Sequence, residues 1–204
     1  MALNTSQLFI KRLMDILFSS IGLIVLFPLL LVISLIIKLE SKGPFLFIQE
    51  RVGKDNKNFN IFKFRTMYVG SERKGLLTIG DHDPRVTRIG YILRKYKLDE
   101  FPQLLNVLLG SMSFVGPRPE VRKYVNLYSQ EDLIILSVRP GITSNASIIY
   151  RHEVELLRLA DNPEEFYAHT ILPEKLKLYH NYIENQDLML DAQIIFKTIL
   201  VVFK

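Results

Sequence analysis

The chain has no cysteine, so disulfides and thiolate metal sites are excluded. It has only four histidines, His82, His152, His169 and His180, and their spacing fits no metal-ligand pattern. There is no zinc-finger spacing or other nucleic-acid signature, so nucleic acid is not an expected partner. No internal repeat, low-complexity tract or second domain boundary interrupts the chain. The most telling lack is of charge: residues 16–37 carry none.

What is present fits one domain with a core plus a membrane element. The 204 residues are 49% apolar, which excludes a disordered chain. The formal net charge of +5 suits a solvated basic surface, anionic lipid head groups or phosphorylated substrates. As one straight helix, residues 16–37 would reach roughly 33 Å, enough to cross the hydrocarbon. They are too long for the apolar core of a signal peptide, and no small-residue cleavage site follows. Pro28, near the middle, removes an amide donor and predicts a kink or break. That leaves two topologies: a kinked span, or a re-entrant segment that returns to its own face. Lys11 and Arg12 before it, and Lys38, Lys42, Arg51, Lys54 and Lys57 after it, fit both.

Downstream, residues 45–48 and 59–64 predict a β-hairpin around the polar stretch 53–58. Residues 71–84, with Gly75 and Gly80, predict a mobile loop. Helices are predicted over 86–95, over 98–109 with Asp99 as cap and Gly110 as stop, and over 120–128, 151–160 and 173–185. The apolar tail 188–203, interrupted by Asp191 and Lys197, lies in a membrane interface or packs on the domain.

Asp99-Glu100 is the chemical centre of this pattern. Asp is a favoured helix cap, and Glu is favourable in a first helical turn. A carboxylate at a helix start also stays ionised near a site that attracts phosphate, and Asp can attack phosphorus to give an acyl phosphate. Glu100 could hold a proton or activate an acceptor. Arg94, five residues earlier, is either part of a solvated basic face or a bidentate phosphate clamp. The run Gly116-Pro117-Arg118-Pro119-Glu120 is a stiff corner, able to pre-position one guanidinium.

These runs, in this order behind a proline-bearing apolar segment, closely resemble the bacterial sugar transferases. These are monotopic phosphoglycosyl transferases that load a sugar-1-phosphate onto polyprenyl phosphate. The matching runs are Lys11-Arg12-Leu13-Met14-Asp15, Gln49-Glu50-Arg51-Val52-Gly53, Lys63-Phe64-Arg65-Thr66-Met67, Leu98-Asp99-Glu100-Phe101-Pro102-Gln103, the Gly-Pro-Arg-Pro corner and Arg139-Pro140-Gly141-Ile142-Thr143. The resemblance implies an α+β, mostly helical protein. A Pro-broken re-entrant anchor over 1–42, marked by Lys11, Arg12, Asp15 and Pro28, would carry a cytoplasmic catalytic domain over 43–204 with a small β-hairpin and interfacial C-terminal helices. It implies a place on the cytoplasmic face of a bacterial inner membrane, among its lipids. Asp99 would be the nucleophile, Glu100 its partner, and Mg²⁺ the cofactor, with Asp99 among its ligands. Arg94, Arg118, Lys63 and Arg65 would bind substrate phosphates, and Arg139 and Thr143 would open a loop toward the nucleotide sugar. The substrates would be a nucleotide sugar, a uridine diphosphate sugar by expectation, and undecaprenyl phosphate.

The chain departs from the family at Phe27-Pro28, where Ser-Pro is common, and at Lys97, where a small hydroxyl residue is usual. It departs again at Ser144-Asn145-Ala146-Ser147-Ile148, after the last matching run. Rival readings are a membrane-anchored phosphohydrolase that passes an aspartyl phosphate to water, and a binding protein for anionic lipid or nucleic acid. The sugar and the oligomeric state, a homo-oligomer included, stay open.

Overall fold

The computed structural model describes residues 3–71 and 83–202. Most of the predicted loop 71–84 lies outside the described residues, as do Gly75, Gly80 and His82. The chain opens with α1, Thr5–Glu40, a 36-residue helix started by a capping box between Asn4 and Gln7. At 1.5 Å per residue it is about 54 Å long. The expected break at Pro28 is absent: helical backbone runs straight through it. Proline withdraws one amide donor, a loss that the rest of a long ladder tolerates. Much of α1 is bare apolar surface, with Ile24 75% and Val25 69% exposed. It is the one helix among the described residues long and apolar enough to cross a membrane.

Both ends of α1 are nonetheless tied to the rest of the molecule. At its start the Lys11 ammonium donates to the Val115 carbonyl and pairs with Asp191. The Arg12 guanidinium donates to the Val107 and Leu108 carbonyls, and Asp15 accepts from Ser113 Oγ and the Phe114 amide. At its end Ile33 and Ile37 are buried against Phe64 and Leu93. There Arg65 donates to the Ser41 and Lys42 carbonyls.

The β-hairpin is present and longer than predicted. β1, Leu46–Val52, pairs antiparallel with β2, Asn58–Phe64, from Leu46 opposite Phe64 to Val52 opposite Asn58. Asp55 and Asn56 make the left-handed turn that joins them, a conformation their short polar side chains tolerate. α2, Arg88–Lys95, is capped by Thr87. A tight turn over Leu98–Glu100 then leads into α3, Gln103–Leu109, and Gly110 ends it at φ +88°. The predicted single helix over 98–109 is therefore split, and Asp99 does not cap it. A cap at Asp99 needs the amide of residue 101 or 102. The Phe101 amide is taken by the Leu98 carbonyl, and Pro102 has none.

β3, Ser113–Val115, pairs in parallel with β4, Gly141–Thr143, a pairing the sequence pattern did not announce. The backbones touch here: a Cβ on Gly141 would lie 2.1 Å from the Gly116 amide nitrogen. The remaining helices are α4, Arg122–Val125; α5, Asn145–Ile149; α6, Glu153–Leu159; α7, Pro163–Phe166; α8, Leu172–Glu184; and α9, Leu188–Val202. α4 is half the predicted length. A wide π-turn, Tyr167–Ile171, joins α7 to α8. Tyr124, Leu157, Tyr167, Leu172 and Tyr179 form the main core of this half. α9 buries Ile194 against Val115 and Tyr182, while Met189 and Phe196 stay exposed.

Candidate active site

Four elements converge on Asp99-Glu100. The pair sits in the tight turn ahead of α3, entered through Lys97 in the left-handed region at φ 56°. Lys63 arrives from β2, Arg118 from the Gly-Pro corner after β3, and Arg94 from the last turn of α2. Glu100 is gripped on both oxygens. Lys63 Nζ donates to Oε1 at 2.8 Å, and the Arg118 guanidinium spans Oε1 and Oε2. Among the described residues the half-buried Asp99 carboxylate accepts no hydrogen bond and joins no ion pair.

This asymmetry splits the two acids. Burial pushes the Asp99 carboxyl above its ordinary 3.8, and the neighbouring Glu100 charge adds to that, against the pull of Lys63, Lys97 and Arg94. Burial alone would raise Glu100 as well, but Arg118 and Lys63 hold it well below the usual carboxylate range. Lys63 is itself lowered by burial, with Glu100 opposing, and Arg118 is raised by Glu100. Glu100 thus stays ionised as the counter-ion that arranges two cations. Asp99 is the carboxylate left available to react, a division expected when environment pushes paired acids apart.

Arg94 is held through Nε by Thr66 Oγ1 at 2.8 Å, and its charge bears on Asp99. The other sequence candidates are placed elsewhere. Arg65, 5% exposed, closes the C-terminus of α1, where free helix-end carbonyls are strong acceptors for a guanidinium. Arg139 Nε donates to the Gly110 carbonyl, at the end of α3 remote from Asp99. Thr143 Oγ1 bonds Thr198 of α9 at 2.7 Å, so it faces the tail helix. Lys11, Arg12 and Asp15 dock α1. Sequence reasoning passed over Asp191, the partner of Lys11. A lone acid in an apolar tail was its only signal. It also passed over Thr66, which lay inside a matching run.

No group of three acidic or histidine side chains that could hold a metal occurs among the described residues. Mg²⁺ commonly binds through one or two carboxylates plus substrate phosphates. An available Asp99 beside an anion-attracting cluster fits that kind of site and not an all-protein cage.

A carboxylate left open beside the charges of Lys63, Lys97 and Arg94, on a domain tied to both ends of a long apolar helix, suits chemistry on a phosphate group. The sequence model of the bacterial sugar transferases matches residues 6–204, and the chain belongs to that family. It is 42% identical over 196 residues to the UDP-N-acetylgalactosamine-undecaprenyl-phosphate N-acetylgalactosaminephosphotransferase of Aeromonas hydrophila, covering 94% of this chain and 43% of the relative. It is 38% identical over 201 residues to the UDP-glucose:undecaprenyl-phosphate glucose-1-phosphate transferase of Klebsiella pneumoniae, covering 97% and 41%. It is 38% identical over 204 residues to the exopolysaccharide production protein PSS of Rhizobium leguminosarum bv. phaseoli, covering 95% and 94%. The chain therefore spans less than half the length of the first two relatives and nearly all of the third.

Proposed function

We propose that this chain transfers a sugar-1-phosphate from a uridine diphosphate sugar to undecaprenyl phosphate through Asp99, and so begins the assembly of a polysaccharide. The observation that carries the reading is the Asp99 carboxylate, without a partner among the described residues, beside a Glu100 that is fully engaged by Lys63 and Arg118. The activities for which the Aeromonas and Klebsiella relatives are named supply the donor and acceptor classes.

In the first half-reaction Asp99 attacks the phosphorus that bears the sugar. The bond from that phosphorus to the bridging oxygen breaks, and uridine monophosphate leaves with the electron pair. In the second, a phosphate oxygen of the polyprenyl acceptor attacks the same phosphorus and restores the Asp99 carboxylate. Arg118 and Arg94 bind the phosphoryl oxygens as charge moves, and Lys63 helps Arg118 to hold Glu100 in place. Mg²⁺, held by Asp99 and the donor's own phosphates, would offset negative charge on the diphosphate.

The same reading places the domain on the cytoplasmic face of the inner membrane. Both flanks of α1 bond to one domain, at Lys11, Arg12 and Asp15 and again at Ser41 and Lys42. That favours an unbroken helix lying along one leaflet, with both flanks on the domain's side, over one that crosses to the far face. The central test is Asp99→Asn, which preserves shape and removes the anionic nucleophile. Turnover should fall by about four orders of magnitude or more, in the range seen when a catalytic nucleophile is removed. With donor labelled in the sugar-phosphate and no acceptor, label should attach to the parent protein and not to the variant. A variant that turns over at the parent rate would overturn Asp99 as nucleophile.

A further inference from the structure

Behind the Arg118 corner lies a second buried polar chain that the transfer steps do not use. Arg51, on β1, is held by Gln49 Oε1 through Nε at 3.1 Å and Nη2 at 2.7 Å. Its remaining nitrogen, Nη1, donates to the Pro119 carbonyl at 3.1 Å and stands 3.9 Å from Glu120 Oε2. The next amide of β1, Val52, donates to the Glu120 carbonyl at 2.9 Å. Glu120, 6% exposed, accepts the Tyr167 hydroxyl on its other oxygen at 2.5 Å. On the opposite side of the corner the Gly141 amide donates to the Pro117 carbonyl, and the Gly116 amide to the Thr143 carbonyl.

The corner is stiff but cannot fix its own place. Two prolines set local φ angles, yet the turn could still swing as a unit. The β4 bonds hold the residues before Arg118; β1, through Arg51 and the Val52 amide, holds the backbone after it, and Tyr167 holds the Glu120 side chain. A guanidinium that must meet phosphoryl oxygens in a plane tolerates little displacement, and a shift of about 1 Å can cost about a hundredfold in rate. We propose that Arg51, locked by Gln49, is the positioning residue for Arg118: it grips the far side of the corner and sets where that guanidinium stands. Lys would not serve, because one ammonium cannot bond Gln49 twice and Pro119 at once in a fixed plane.

The proposal rests on the reading in which Arg118 acts on the donor phosphates, and a double-mutant cycle separates the two. Uridine monophosphate release is measured for the parent, Arg51→Met, Arg118→Met and the double variant, with UDP-N-acetylgalactosamine and UDP-glucose as donors. If Arg51 acts through Arg118, Arg51→Met lowers kcat by about a hundredfold. In the Arg118→Met background it then costs no more than about twofold further. Arg51→Lys should be impaired like Arg51→Met, whereas a role resting on charge alone would restore the rate. Losses that multiply in the double variant, or full activity in Arg51→Lys, overturn the proposal. Parent-like activity in Arg118→Met would instead overturn the assigned role of Arg118. Where Arg51→Met does not fold, the half-buried Gln49→Leu takes its place in the same cycle, with the same expected non-additivity.

Discussion

At the scale of single residues, the proposed transfer turns on two adjacent carboxylates made unequal by their surroundings. Asp99 is raised by burial and by Glu100, and Glu100 is held low by Arg118 and Lys63. Below its pKa Asp99 is protonated and cannot attack. Transfer should therefore fall as pH drops through a value above 3.8, while Glu100 stays ionised across that window. A profile of kcat against pH for the first half-reaction measures the acid limb directly. Glu100→Gln removes a neighbour that raises Asp99 and frees Lys63 to face it, so the acid limb of its lowered residual activity should move to lower pH. A limb that stays in place would mean that the charge of Glu100 does not reach Asp99.

At the scale of elements, the run Lys11-Arg12-Leu13-Met14-Asp15 is a docking device. Its three charged side chains reach α9, the last carbonyls of α3 and the start of β3. The Lys11–Asp191 pair is nearly buried, and Tyr182 donates to the same carboxylate at 2.7 Å. Removing one member of such a pair leaves an uncompensated charge at a cost of about 3 kcal/mol. Lys11→Met should lower the unfolding midpoint in lipid discs accordingly, with α9 exchanging its amide hydrogens first. An unchanged midpoint would show that the pair holds nothing. Pro28 belongs to this scale too. One missing donor did not break α1 in two, because tertiary bonds secure the helix on either side of it.

At the scale of the whole molecule, the membrane reading and the kinetic order are each open to one direct measurement. The chain has no cysteine, so single cysteines placed at Asn4 and Lys42 report their side of the membrane with an impermeant thiol reagent. Both should be protected in intact cells and labelled in inverted vesicles. Labelling at Asn4 from outside would establish a single span. A phosphosugar held on Asp99 requires uridine monophosphate to leave before the acceptor reacts, so initial rates at varied donor and acceptor should give parallel double-reciprocal lines. Intersecting lines with no trapped adduct would point to direct attack by the acceptor, with Asp99 serving another role.

Local sequence was enough for the apolar helix, the hairpin, the α2 and α8 helices and the adjacency of Asp99 and Glu100. Each of these is a local matter: hydropathy over consecutive residues, alternation, a cap, a Gly stop, or an ordered set of short runs. It did not determine partnership. Arg65 reads as a phosphate ligand and Arg139 as part of a loop toward the nucleotide sugar, yet a guanidinium suits an anion and a helix-end carbonyl equally well, and only the fold says which carbonyls stand nearby. The parallel pairing of β3 with β4 joins residues far apart in the chain and leaves too short a pattern to see. Which carboxylate is clamped and which is available is likewise a tertiary fact. It is set by Lys63 and Arg118 arriving from separate elements, and electrostatics between charges depends on their distance in space and not on their distance along the chain.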